Sequence, residues 1–136
     1  PRRPPRPSPR PERAPVVRAR AWIEWHGLDL LGQGRLTLLE LVDRHGSISA
    51  AAREMGVSYR AAWDWIARMN EAAGCPLVVT ATGGRGGGGA HLTRVGHTVV
   101  QAYHELSRQL ERFTARMTAR VGRVLGALEG SDEEEP

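Results

Sequence analysis

The sequence has a single cysteine, Cys75, and no lysine among its 136 residues. One thiol can form neither an intrachain disulfide nor a multi-cysteine metal site, and it favours a reducing compartment. No run approaches the roughly 18 apolar residues that a membrane span needs, and the start lacks the apolar stretch of a signal peptide. We therefore expect a cytoplasmic protein that is not attached to a membrane.

The charged residues are unevenly distributed. Nineteen arginines against 15 acidic residues give a net charge of +4 and an isoelectric point near 10.5. Residues 1–20 carry seven Arg and one Glu, residues 127–136 carry five acidic residues, and the middle of the chain stays basic. This balance favours polyanions as partners over acidic surfaces.

Both ends are predicted to be disordered tails. Residues 1–15 are mostly Pro and Arg, which form neither helix nor sheet and bury little apolar surface. This segment is either a solvated extension, which we favour, or a basic arm that touches phosphates. Residues 127–136 are expected to form a solvated acidic tail.

The segment after the first tail is predicted to contain a strand and a helix. Apolar and charged residues alternate over residues 16–26, which is the period of a half-buried strand. Clustered leucines from Leu36 onward indicate a first helix of three turns. The pair His45-Gly46 is typical of its C-terminus.

Two short helices separated by a tight turn are predicted next. We expect Ser49 to cap a helix over 50–55, Gly56 to end it, and Ser58 to cap a second helix that runs to about Ala73. Six apolar residues fall where two crossed helices share a core: Ala51, Met55, Val57, Ala62, Ile66 and Met69. On the opposite side of the second helix lie Arg60, Asp64 and Arg68.

A hairpin and a long helix complete the pattern. Leu77–Val79 and Ala90–Thr93 are predicted to pair around a glycine-rich tip, and Thr93 to cap a helix over residues 94–126. Its apolar stripe has the four-three spacing of a helix-pairing seam. We favour a dimer seam over packing within the domain. The seam residues are Val99, Tyr103, Leu106, Leu110, Phe113 and Met117.

This order of elements predicts a mainly α fold with a small β wing. It is a winged helix-turn-helix over residues 16–93, with an N-terminal strand and a long C-terminal dimerisation helix over 94–126. Its chemistry is contact with phosphates and bases, so no reaction is expected. The free amides of residues 58–61, at the start of the second motif helix, would favour a phosphate.

Side chains near the start of that helix are the candidates for DNA contact. Tyr59, Arg60, Trp63 and Asp64 are expected to face base edges or the flanking backbone. For Arg60 we favour a donor role to guanine or phosphate over an ordinary solvated arginine. Large aromatic residues inside helices usually pack, so packing is favoured for both Trp63 and Trp65.

The glycine run admits two other interpretations besides a wing. Gly84–Gly89 formally matches G-x-G-x-x-G, but that fingerprint must close a strand and open a helix, and a P-loop needs a lysine. A wing whose amides and Arg85 approach DNA without interference from a Cβ is favoured over a purely flexible loop. The wing residues are Thr82, Gly83, Gly84, Arg85, Gly86 and Gly87.

No catalytic or metal site is predicted. The five histidines are scattered along the sequence, and no pair of them has ligand spacing with further partners nearby. Cys75 has no positioned base near it in sequence, so we expect a buried structural thiol. We predict no cofactor.

Two segments resemble a known family. GSISAAAREMGVSYRAAWDWIARMN (residues 46–70) and TATGGRGGGGAHLTRVG (residues 80–96) are similar to the N-terminal DNA-binding domain of ModE, the bacterial molybdate-responsive regulator. The resemblance covers about residues 16–113. The Ser-Tyr-Arg-Ala-Ala-Trp-Asp start of the recognition helix, together with the glycine wing, distinguishes it from other LysR-type helix-turn-helix patterns.

The resemblance implies a homodimer joined through the first strand region and the long helix, bound to a palindromic operator near molybdenum-related genes. It places the recognition helix on Ser58, Tyr59, Arg60, Ala61, Trp63 and Asp64. The family senses molybdate through C-terminal oxyanion-binding domains, and the sequence after the predicted long helix is too short to contain one. We therefore expect a standalone form.

Two forms of control stay open for such a protein. Either it binds its operator constitutively or under the control of its own abundance, or a separate oxyanion-binding protein or a partner regulator docks on the dimer and supplies the signal. The alternative functions are a protein interaction module with weak DNA binding and, least favoured, a nucleotide-binding enzyme.

Overall fold

The computed structural model describes residues 14–81 and 89–131. The chain divides into two units, Arg20–Gln109 and a second made of Pro1–Ala19 with Leu110–Pro136. The described elements are, in chain order, β1 (Ile23–Trp25), β2 (Leu28–Leu31), α1 (Gln33–His45), α2 (Ile48–Met55), α3 (Tyr59–Ala73), β3 (Val78–Thr80), β4 (Ala90–Leu92) and α4 (Arg94–Ser131). The predicted winged helix-turn-helix with a long last helix is confirmed. Among the described helices, none combines the length and apolarity needed to cross a membrane.

The helix-turn-helix is delimited by the glycines and serines that the sequence offers. Gly46 and Gly56 adopt left-handed backbone angles (φ 64° and 72°) that end α1 and α2, as predicted. The predicted cap of α2 is wrong, because Ser47, not Ser49, accepts the N–H of Ala50 and the helix begins at Ile48. Ser58 caps α3 as predicted.

One hydrophobic core joins the elements of the first unit. Four of the six residues predicted to lie between the crossed helices are buried, and Met55 and Val57 pack against them. The largest fully buried side chains are Leu31, Leu38, Leu39, Val42, Met69 and Leu77. Burying such side chains is the main stabilising contribution, at about 1.5–3 kcal/mol each.

The N-terminal strand is shorter than predicted and belongs to a hairpin. β1 covers only three residues of the predicted 16–26, and it pairs antiparallel with β2, for which no strand was predicted. His26 and Gly27 form the connection with φ of 50° and 74°. Two consecutive positive φ angles are typical of the tight turns that match strand twist. The residues from 14 to 22 form no strand.

The second hairpin is attached to the end of α1. β3 and β4 pair from Val78 opposite Leu92 to Thr80 opposite Ala90. The Ala90 N–H donates to the carbonyl of Gly46 at 2.9 Å. Since Gly46 also ends α1, the same turn fixes the helix-turn-helix and the base of the wing. The predicted wing tip, Thr82 to Gly87, lies outside the described residues.

The start of α4 is part of the same unit. Thr93 caps it as predicted, because its hydroxyl accepts the N–H of Gly96 at 3.0 Å. Tyr103 is buried and donates its hydroxyl to the carbonyl of Ala21 at 3.0 Å, while Val99 and Leu106 pack against the core. These three predicted seam residues therefore serve packing within the domain.

Histidine–carboxylate contacts also hold α4 against α1. His104 contacts Glu40, and His97 Nε2 lies 3.8 Å from an oxygen of Asp43. Both histidines project from α4 and both carboxylates from α1. Two histidines that are too scattered in sequence for a metal site therefore act as partners of acidic side chains.

The second unit contains the C-terminal half of α4 and a segment near the start of the chain. The N–H of Val17 donates to the hydroxyl of Thr118 at 2.9 Å, and Pro15 lies close to Gly122. α4 continues to Ser131, five residues past the predicted boundary at 126. Ala127, Leu128 and Glu129 favour helix, which accounts for the extension. Residues 1–13 and 132–136, where most of both predicted tails fall, lie outside the described residues.

Candidate nucleic-acid interface

The N-terminus of α3 presents free amides. The first N–H groups of a helix have no partner within it. Ser58 Oγ accepts the N–H of Ala61 at 3.0 Å, so the prediction that all amides of residues 58–61 are free is wrong for Ala61. The amides of Tyr59 and Arg60 have no partner within the described chain. The partial positive charge of the helix end is therefore concentrated at these two residues.

Most of the predicted contact residues lie on one exposed side of α3. Arg60 and Asp64 are exposed, Tyr59 exposes 53% of its surface and Trp63 exposes 37%, whereas Ala61 is half-buried. The buried side of the same helix carries Ala62, Ile66, Met69 and Ala72. The core therefore fixes which side of α3 faces outward.

The two tryptophans of α3 have different environments. Trp65 packs against the core, as the packing interpretation predicts. Trp63 is not in the core. Its indole meets the ring of Tyr59 edge to face, with centroids 6.1 Å apart at 79°. The packing interpretation thus holds for Trp65, while Trp63 lies on the exposed side with Tyr59.

The wing is fixed beside α3 by hydrogen bonds at its base. Asn70 Oδ1, near the C-terminal end of α3, accepts the N–H of Leu77 at 2.8 Å, immediately before β3. Asp43 of α1 accepts the N–H of Leu92 at 3.4 Å. The described strands of the wing are therefore connected to both α1 and α3.

Sequence reasoning missed a cleft on the first unit. It has a volume of about 320 Å³ and is lined by Trp22, Trp65 and Arg35 together with residues of β2, of the β2–α1 connection and of the start of α1. Arg35, which lines the cleft, donates to the carbonyls of Asp29 and Leu30. No sequence signal marks it, because it depends on the β1–β2 hairpin that the strand pattern did not predict.

The remaining candidates for chemistry are the potential metal ligands and the single thiol. No group of three or more His, Cys, Asp or Glu side chains within residues 14–81 and 89–131 has the arrangement of a metal site. Cys75 is a free thiol that is half-buried, so the prediction of a buried thiol is only partly correct.

The remaining seam residues lie in the second unit. Phe113 exposes 48% of its surface, and Leu110 and Met117 are half-buried. Farther along α4, Val124, Leu125 and Leu128 are also exposed. An apolar stripe of this kind on a helix marks a surface for a partner more often than a solvated face.

Together, the capped helix pair, the exposed side of α3 and the adjacent wing define a winged helix-turn-helix. Residues 34–97 match the bacterial regulatory helix-turn-helix proteins of the lysR family. Residues 34–97 are thus a LysR-type helix-turn-helix domain.

The chain is homologous to ModE and Mop proteins. It is 51% identical over 73 residues to the molybdenum-pterin-binding protein MopB of Rhodobacter capsulatus, covering 54% of this chain and 27% of that protein. It is 43% identical over 96 residues to the molybdenum transport protein ModE of Azotobacter vinelandii, covering 71% and 36%. It is 47% identical over 74 residues to the DNA-binding transcriptional dual regulator ModE of Escherichia coli K12, covering 54% and 28%.

The matched region is therefore between about a quarter and about a third of the length of these relatives. The predicted resemblance to the ModE family is confirmed at the level of this region.

Proposed function

We propose that this protein is a sequence-specific, double-stranded DNA-binding transcriptional regulator linked to molybdenum genes. The observation that carries the proposal is the exposed side of α3, with Arg60 beside the free amides of its N-terminal end. A helix end of this kind suits a phosphate, and an arginine suits guanine or phosphate. The link to molybdenum rests on the names of the relatives.

The regulator acts as a homodimer on a palindromic operator. Two recognition helices would lie about 34 Å apart to enter successive major grooves. The support for a dimer is the apolar stripe of Leu110, Phe113 and Met117, together with Trp25 and Leu28 exposed on the first hairpin. The wing residues Thr82 to Gly87 are proposed to contact the flanking backbone or minor groove, with Arg85 as the cation.

Fluorescence anisotropy tests the proposal directly. The purified protein is titrated against duplexes from its own upstream region and against scrambled duplex, at two salt concentrations, with and without molybdate. We expect tight binding to one palindrome that weakens as salt rises, because phosphate contacts release counterions. Equal weak binding to every duplex would instead favour the protein interaction module.

The molybdate arm separates two sources of control. A change in Kd on adding molybdate alone would mean that the protein responds without a separate oxyanion-sensing partner. An unchanged Kd would leave operator binding constitutive or dependent on such a partner.

Arg60→Ala provides the residue-level test. We expect a loss of about 1–3 kcal/mol in specific affinity and relaxed preference at one operator position, if Arg60 makes a bidentate base contact. Arg68→Ala is the matched control, since Arg68 is also exposed on α3 but two turns farther from its N-terminus. An equal loss on random DNA would assign Arg60 to phosphate positioning.

A further inference from the structure

Tyr59 and Trp63 form an exposed aromatic pair on the first two turns of α3. Their rings meet edge to face. Tyr59 still exposes 53% of its surface and Trp63 exposes 37%, and neither residue belongs to the hydrophobic core. Arg60 and Asp64 follow them in sequence and are also exposed. The result is an apolar surface with a charged rim at the end of the helix that carries the free amides.

DNA offers one apolar group in the major groove. Adenine, guanine and cytosine present hydrogen-bond donors and acceptors there, whereas thymine adds a 5-methyl group. The Trp63 indole has one donor and the Tyr59 phenol one hydroxyl, so most of the exposed surface of the pair has no polar complement. A methyl group is the base feature that such a surface fits.

The dimensions of the pair suit adjacent base pairs. The ring centroids are 6.1 Å apart, and successive bases on one strand are about 3.4 Å apart along the duplex axis. The pair therefore spans about two base steps. Since Arg60 lies between the two aromatic residues in sequence, its contact falls in the same part of the half-site.

We infer that the Tyr59–Trp63 pair reads thymine 5-methyl groups and makes the recognition of this protein depend on thymine at one or two positions in each half-site. The inference rests on the proposed function and adds the base feature that is recognised. Arg60 supplies the polar contact and the aromatic pair supplies the apolar one, so specificity is divided between neighbouring side chains on the first two turns of α3.

Uracil substitution isolates the methyl group. The probe is the duplex that the protein enriches from a random-sequence library, made with thymine or with uracil at individual positions. Removing one contacted methyl group should weaken binding about fourfold, the value of one buried CH₂, and about fifteenfold when one is lost in each half-site. For the protein variants described next, circular dichroism confirms that each one keeps its helices.

Variants then assign the effect to the pair. Tyr59→Ala and Trp63→Ala should each reduce the thymine-to-uracil difference, while Arg68→Ala should leave it unchanged. Tyr59→Ala should disturb folding less than Trp63→Ala, because Tyr59 is the more exposed of the two residues. Equal Kd values for thymine and uracil duplexes with the unaltered protein would overturn the inference alone.

Two further outcomes are decisive. A thymine-to-uracil difference that persists fully in both alanine variants would overturn the assignment to Tyr59 and Trp63, while leaving DNA binding intact. Failure to enrich any sequence would overturn the proposed function and this inference together.

Discussion

Gly96→Ala should destabilise the protein although alanine favours helix. Gly96 is the buried third residue of α4, and a Cβ added there would lie 2.2 Å from the carbonyl oxygen of Leu77. Ordinary C···O contacts measure about 3.3 Å or more, so the added Cβ and the carbonyl oxygen of Leu77 must move apart by about 1 Å. Leu77 is fully buried, and its carbonyl also accepts the N–H of Thr93 at 2.9 Å. Neither side can retreat without loss of packing or of that hydrogen bond.

The magnitude follows from a matched glycine. Gly34 is the second residue of α1, in the same unit, and nothing lies within 4 Å of a Cβ added there. Both substitutions gain helix propensity, up to about 1 kcal/mol, and this gain cancels in the comparison. Overpacking costs about 1–3 kcal/mol, so Gly96→Ala should be less stable than Gly34→Ala by that amount.

Thermal unfolding followed by circular dichroism measures the difference. For a unit of this size, 1 kcal/mol corresponds to roughly 4–8 °C in Tm, so the two variants should melt at least about 4 °C apart. Urea unfolding at 25 °C gives the same comparison as a free energy. Equal stability of the two variants would refute the close approach of α4 to Leu77.

Three other predictions test the fold and the dimer. Ser47→Ala should lower the free energy of unfolding by about 1 kcal/mol through loss of the α2 cap, whereas Ser49→Ala should change it by less than about 0.5 kcal/mol. If urea unfolding showed Ser49→Ala to be the more destabilising variant, Ser49 would be the cap, as the sequence predicts. Tyr103→Phe should cost about 0.5–1.5 kcal/mol, because the carbonyl of Ala21 loses its donor; unchanged stability would argue against that hydrogen bond. Leu110→Asp should weaken the proposed homodimer in analytical ultracentrifugation, and an unchanged sedimentation profile would remove Leu110 from the seam.

Local sequence signals predicted most of the helix-turn-helix, but they did not identify the residue that caps α2. The sequence Gly-Ser-Ile-Ser offers two serines as caps, and propensity alone does not choose between them. Burial chooses, because Ile48, Ala51 and Ala52 are all buried and have the spacing of one helix face. α2 must therefore begin at Ile48, which makes Ser47 the cap.

The first hairpin was missed for a related reason. The residues of β2 form a run of four that contains Asp29, and such a run is too short to show a period of two. The tight turn at His26-Gly27 needs positive φ at both residues, and histidine is a weak signal for it. Because the cleft beside Trp22 depends on that hairpin, the sequence pattern did not reveal it either.

The apolar stripe of α4 shows how one spacing can serve two roles. The four-three pattern predicts a single seam, but Gly96 brings the helix start close to Leu77, immediately before β3, and Tyr103 is buried with its hydroxyl bonded to the carbonyl of Ala21. From Leu110 onward the stripe is half-buried or exposed. The division of the chain into units falls at the same point, between Gln109 and Leu110. A surface for a second protomer is therefore to be sought in the second half of the stripe, because the first half already has its partners within the domain.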